Sequence, residues 1–235
     1  MKRIFAVLFS LCIMAGAVFS KGYDGDVQFH LGAGFDSYIL NTTSRTNDSS
    51  FIETAPVICF DFDVESWHLF NLNDTVGLGF MAGLDFGAGG ISKYEWKSTL
   101  KSSGQVVQDS GTGSRETIVV EASGITGFAG GFNLGSVVRL SLGLGLAYDF
   151  VCLFENSTSF FSAVGFGFNV QAKFFPKNRV GLVVGYRFAV FGTKQCVSVY
   201  NGESAVADYS ETIYSSDSGI SYFDNEIYAG LSINW

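Results

Sequence analysis

Three features of the sequence predict an all-β fold, a closed eight-stranded antiparallel up-and-down barrel. Apolar residues alternate with small or polar ones along eight segments. The connections between segments alternate between short and long. Beyond the first twenty residues no apolar run reaches the roughly 18–20 residues of a membrane-spanning helix. Period-two alternation sends successive side chains to opposite faces of a strand.

The clearest segment is VRLSLGLGLAYDF. Val138, Leu140, Leu142, Leu144, Leu146, Tyr148 and Phe150 share one face, and Arg139, Ser141, Gly143, Gly145, Ala147 and Asp149 share the other. In chain order the predicted strands cover about 26–39, 55–70, 75–88, 117–132, 136–151, 162–175, 180–192 and 221–235. The first carries Val27, Phe29, Leu31 and Phe35; the second Ile58, Phe60, Phe62 and Val64; the third Val76, Leu78, Phe80, Leu84 and Phe86. The fourth, TIVVEASGITGFAGGF, alternates least. The sixth presents Val164, Phe166, Phe168, Val170 and Phe174, the seventh Leu182, Val184, Tyr186, Phe188 and Val190, and the eighth Ile227, Leu231, Ile233 and Trp235.

Tight turns are expected at 71–74 (NLND), 133–136 (NLGS) and 176–179 (PKNR). Long polar loops are expected at 41–53, at 89–116 and at about 193–220. In a meander the odd and even connections lie at opposite ends, so one end is trimmed and the other carries loops. No linker or second domain interrupts residues 21–235.

The first twenty residues read as a secretory signal peptide. Lys2 and Arg3 precede an apolar run from Ile4 to Phe19, and small residues lead to a cleavage point after Ser20. Its removal leaves 12 Lys and Arg (14 less Lys2 and Arg3) against 22 Asp and Glu, a net charge near −10. That balance excludes nucleic acid as a partner, since phosphate neutralisation requires basic patches. Three cysteines remain: Cys59, Cys152 and Cys196. They form neither a disulfide framework nor a metal-binding spacing, and no cofactor motif is present. One bridge, between Cys152 and Cys196, suits an oxidising compartment.

An alternating barrel can be soluble, with an apolar lumen, or transmembrane, with an apolar exterior. The second face decides. The 29 glycines of the chain concentrate there, with Ser, Asn, Gln and single charges, while charged residues make up only 15% of the total. A row such as Gly77, Gly79, Gly83 and Gly87 gains nothing in water. It suits the crowded interior of an eight-stranded barrel, which is just wide enough for its side chains. Aromatic residues are expected in girdles at the two membrane interfaces: Trp67, Phe70, Phe132, Phe174 and Trp235 at the turn end, and Phe86, Tyr148, Phe150, Phe191 and Phe223 at the loop end.

A signal peptide, eight alternating strands, short turns opposite long loops, and a last strand with Tyr228, Gly230, Ile233 and Trp235 together resemble the small outer-membrane β-barrels of the OmpX and OmpA membrane-domain type, and more loosely OmpW. The resemblance implies residence in a bacterial outer membrane and contact with its lipid. It also implies that the terminal strand is recognised by the outer-membrane assembly machinery. Only that strand carries a sequence-specific motif, and no periplasmic domain of the OmpA kind is expected after it.

The inward face holds Asp36, Asp61, Asp63, Glu65, Asp85, Glu121, Arg139, Asp149, Lys173, Arg187, Asp224 and Glu226. Buried charges must pair, and Arg187 and Glu226 lie on adjacent strands, so they are expected to meet, with Asp36 within reach. Two roles fit such a lumen: a polar plug that holds a narrow barrel closed, or a narrow channel for small solutes. A lipid-modifying enzyme is the third reading, but the two histidines, His30 and His68, sit in no recognisable nucleophile motif. The Tyr-, Ser- and acid-rich stretch from Thr193 to Ser221 suits contact with host or matrix ligands. The expectation is a monomeric, non-catalytic, structural or adhesin-like protein without cofactor.

Overall fold

The computed structural model describes residues 22–44, 49–102, 105–155, 158–193, 197–199 and 219–234. The expected leader (1–20), Cys196 and Trp235 lie outside them. The described residues form nine strands: β1 (Gly22–Ser44), β2 (Ser49–Asn71), β3 (Val76–Ser102), β4 (Gln105–Leu134), β5 (Val138–Phe154), β6 (Thr158–Phe174), β7 (Val180–Thr193), the three-residue β8 (Val197–Val199) and β9 (Gly219–Asn234). Neighbouring strands are antiparallel in the order β5-β4-β3-β2-β1-β9-β7-β6, and pairing of β5 with β6 closes the ring of eight. Strand β8 lies outside the ring as a short addition to β6.

The short connections follow from turn chemistry. Asn73 Oδ1 accepts the backbone N–H groups of Thr75 and Val76, each at 2.8 Å, and so shapes the β2–β3 turn. Gly135 takes a φ of 68° in the β4–β5 turn, a left-handed conformation that costs glycine nothing.

Faces separate as the alternation requires. Leu31 is 71% exposed, Phe60 71%, Phe128 68% and Phe166 73%, while Gln28, Asp63, Asn169 and Glu226 are fully buried. On β5 the exposed apolar row runs from Leu140 to Phe150. At ~3.3 Å per residue and a strand tilt near 40°, that row spans about 25 Å, the height of a membrane barrel's lipid belt.

Two expectations are corrected. Of the polar stretches expected as loops, residues 41–44, 49–53, 89–102 and 105–116 belong instead to paired strands. Strands β3 and β4 stay paired from Val76 opposite Phe132 to Ser102 opposite Gln105, whereas β4 and β5 part at Ile118 opposite Phe154. The stretch of β4 from Gln105 to Ile118 therefore rises roughly 40 Å along the strand beyond the β5 rim. Strands β1 and β2 accompany it, with Ser49 opposite Leu100 of β3. Register shifts at Thr54–Ile58 and Ile91–Lys93 mark where the wall leaves the apolar belt, a common place for bulges. Above them both faces meet water, so the hydrophobic signal vanishes while the backbone ladder continues. Aromatic side chains cover cross-strand glycines there, Tyr94 over Gly113 and Trp96 over Gly111, a known support for glycine in exposed sheet.

The second correction concerns the girdles. Trp67 is 2% and Phe191 3% exposed, and both point into the barrel. Each shares its parity with inward neighbours, Trp67 with Glu65 and Phe191 with Ala189, and a strand has no third face. Phe86, Phe132, Tyr148 and Phe150 are exposed on the outer wall.

Candidate functional site: a charge-filled lumen and its walls

The interior is layered. An apolar cluster including Val57, Ile91, Val119, Val151, Phe191 and Tyr222 fills the loop end, and Trp67, Leu69, Met81, Ile125 and Ala129 form a second cluster toward the turn end. Charged groups lie between and below them. The alternating inner face predicts a polar lumen, and these two apolar layers depart from that prediction.

Arg187 is the hub of the upper charged layer. Its guanidinium donates to Asp63 Oδ1 at 2.5 Å and lies 2.7 Å from both Asp85 and Glu226 and 3.7 Å from Asp224. Glu226 and Asp224 come from the neighbouring β9, but Asp63 and Asp85 reach it from β2 and β3 across the lumen. A planar fork with five donors suits such a bridge where a single ammonium would not. Asp149 accepts from the Tyr222 hydroxyl at 2.5 Å. Asp36 lies on β1, but its side chain is outside the described ones.

Below the hub a hydrogen-bonded chain crosses the barrel. Tyr228 donates to Asn169 Oδ1 (2.6 Å), Asn169 donates to Glu65 Oε1 (2.6 Å), and the Trp67 indole donates to Glu65 Oε2 (2.9 Å). Tyr228 stacks on His30 with ring centroids 4.2 Å apart. At the turn end Arg139 pairs with Asp24 and Lys173 with Asp26. Asp24 precedes the predicted start of the first strand at residue 26, whereas Asp26 lies within it, in phase with His30, and is absent from the predicted inward set. The alternation through Gln28 and His30 extends back to both of them. The space between Asp26, Trp67, Arg139 and Lys173 measures about 10 Å³, at the lower limit for one water molecule.

Gly230 and Ile233 of the terminal strand face opposite sides. Gly230 packs against the Phe29 carbonyl and His30, and Ile233 is 45% exposed. Of the cysteines, Cys59 is buried and Cys152 half-buried. The partner expected for Cys152, Cys196, lies outside the described residues.

A polar array lies on the outer wall near the turn end. Tyr23 bonds His68 Nδ1, Ser66 lies 2.9 Å from His68 Nε2, and Ser66 Oγ donates to the Asp26 carbonyl at 3.1 Å. Serine with histidine suggests acyl transfer, but the network runs the wrong way. With the Ser66 proton directed to Asp26, Nε2 must donate to Ser66 and Nδ1 must accept from Tyr23. A general base needs the reverse arrangement. Refolded protein is therefore expected to leave the acyl esters of phospholipid and lipopolysaccharide intact. Hydrolysis that disappears in His68→Ala would overturn this assignment.

A closed antiparallel ring with an apolar belt outside and paired charges inside is an integral membrane β-barrel. In lipid only a helix or a closed barrel satisfies every backbone group. In overall fold it is similar to the outer-membrane protease OmpT of Escherichia coli (10% identity, TM-score 0.46, covering 92% of this chain and 97% of that one). It is likewise similar to the outer-membrane protein OprG of Pseudomonas aeruginosa (10%, TM-score 0.45, 92% and 97%). A third similar structure is Ail, the attachment invasion locus protein of Yersinia pestis (9%, TM-score 0.40, 89% and 99%). These likenesses concern the course of the chain alone. No family model matches the sequence, and no curated protein matches it.

Proposed function

We propose that the protein is a non-catalytic, plugged barrel whose working surface is the tall sheet above its outer rim, used for adhesion-like contact with a partner outside the cell. The observation that carries this reading is the uneven wall. Strands β3 and β4 run 27 and 30 residues, against 17 for β5 and β6 and 14 for β7. The lipid belt needs only about 9–11 residues per strand, so the excess length of β1–β4 serves something beyond the membrane. A paired sheet presents side chains at fixed spacing, which lowers the ordering cost of binding. Short turns at the opposite end are consistent with a periplasmic placement there. The lumen itself, crossed by ionic and hydrogen-bonded layers, is a support for this platform.

The test removes the platform and keeps the barrel. Residues 93–116 are replaced by an Asn-Gly turn, which closes the ladder beside Ile91 opposite Thr117. The variant should still show heat-modifiable gel migration. Cells displaying it are expected to lose attachment to matrix-coated surfaces down to the level of cells lacking the protein. Attachment equal to that of the unaltered protein would remove the adhesive reading.

A further inference from the structure

We propose that Cys59, Asp61 and Glu121 form an internal binding site for one divalent cation of borderline softness, of the zinc type. Cys59 and Asp61 project inward from β2 and Glu121 from β4. The strand between them contributes Gly87, which pairs with both Asp61 and Glu121. A methyl group at position 87 would collide with Asp61 Oδ1 and Glu121 Oε1, and one at Gly89 would lie 2.7 Å from Cys59 Sγ. The two glycines thus leave a cradle into which all three side chains lean. Their ligand atoms lie within 4.8 Å of one another.

All three residues are buried, at 0%, 6% and 7% exposure for Cys59, Asp61 and Glu121. Asp61 Oδ1 points into the cradle with no hydrogen-bond partner. The neighbouring cation does not serve this purpose, because Arg187 is engaged by Asp63, Asp85, Asp224 and Glu226. Two carboxylates this close in a water-poor interior are relieved by a shared proton or by a cation between them, and the adjacent thiol gives the cation a third ligand.

The donor set selects the ion. A thiolate beside two carboxylates disfavours magnesium and calcium, which take oxygen alone, and suits zinc or cobalt. Metal–sulfur and metal–oxygen lengths near 2.3 and 2.0–2.2 Å place tetrahedral ligands roughly 3.5 Å apart. On binding, the cation displaces the Cys59 thiol proton, which leaves to solvent as the metal–sulfur bond forms. Three protein ligands leave a fourth position for water.

The experiment uses the mature chain carrying Cys152→Ser and Cys196→Ser, so that Cys59 is its sole thiol. The protein is refolded in detergent with Co²⁺ present, so that burial does not block entry, and heat-modifiable migration verifies the barrel. One Co²⁺ per chain should remain after desalting, with a sulfur-to-cobalt charge-transfer band that Zn²⁺ abolishes. Cys59→Ser should lose the band, while Glu121→Gln and Asp61→Asn should keep it and bind Co²⁺ on the order of 10-fold to 100-fold more weakly. A folded barrel without the band, or a band that survives Cys59→Ser, would overturn the site. Unchanged affinity in both carboxylate variants would overturn it equally, and those two variants decide the matter if Cys59→Ser does not fold.

Discussion

Arg187→Ala is expected to lower the stability of the refolded barrel by about 3–5 kcal/mol, the cost of stripping the partner from buried charges. The reason lies in what remains. Asp63 and Glu226 are fully buried, Asp85 nearly so, and all three face the emptied position. With a urea slope of about 2 kcal/mol per molar, the midpoint should fall by roughly 2 M. Arg187→Lys should recover only part of the loss, because one ammonium cannot hold carboxylates on β2, β3 and β9 together. Neutralising the acids as well, with Asp63→Asn and Glu226→Gln in the alanine background, should recover more than lysine does. An unchanged midpoint in Arg187→Ala would show that the hub does not hold the lumen together. Planar-bilayer recordings on the same samples separate plug from conduit. The unaltered protein should carry no steady current, and a steady current lost in Arg187→Ala would identify a channel instead.

Leu144→Arg is expected to cost about 2–4 kcal/mol in a bilayer, the penalty for a cation at the midplane of a barrel's lipid face. Leu144 is 54% exposed and sits between Phe128 on β4 and Phe168 on β6, midway along the apolar row of β5. The same substitution at Ile118, which is 61% exposed near the upper end of the belt, should cost under 1 kcal/mol because the guanidinium reaches the interface. Folding into vesicles, followed by urea titration, measures both. Equal effects at the two positions, or a gain at Leu144, would contradict a lipid-facing wall. In a soluble barrel an exposed arginine at either site would cost nothing.

The walls of the barrel were legible because alternation is a one-dimensional signal. It placed the eight ring strands and the lipid-facing rows without any three-dimensional information, and it left Asp24 and Asp26 out of the inward charges. It also placed Arg187 beside Glu226, since adjacent strands share a height. What it does not carry is reach across the lumen. Asp63 and Asp85 approach Arg187 from the far wall, and that meeting depends on strand tilt and stagger, which no residue pattern encodes. The same holds for Cys59, Asp61 and Glu121, whose cradle depends on a glycine in the intervening strand. The tall hairpins were missed for a different reason. Outside the belt both faces of a strand meet water, so Ser, Thr, Lys and Glu occupy both and the alternation is erased. Trp67 and Phe191 show the opposite error, in which residue type was weighed above parity.

The ring also has a seam. Every ring pairing except one joins ring strands consecutive in the chain, but β1 meets β9 with Asp26 beside Asn234. Joining chain ends so far apart carries an entropic cost of roughly 5 kcal/mol, and distant contacts of this kind make folding slow. Until they meet, β1 and β9 each expose a row of unbonded N–H and C=O groups, which hydrocarbon cannot satisfy. The open sheet must therefore be sheltered while it waits. Closure of the wall therefore comes down to one junction, where the first and last strands zip together.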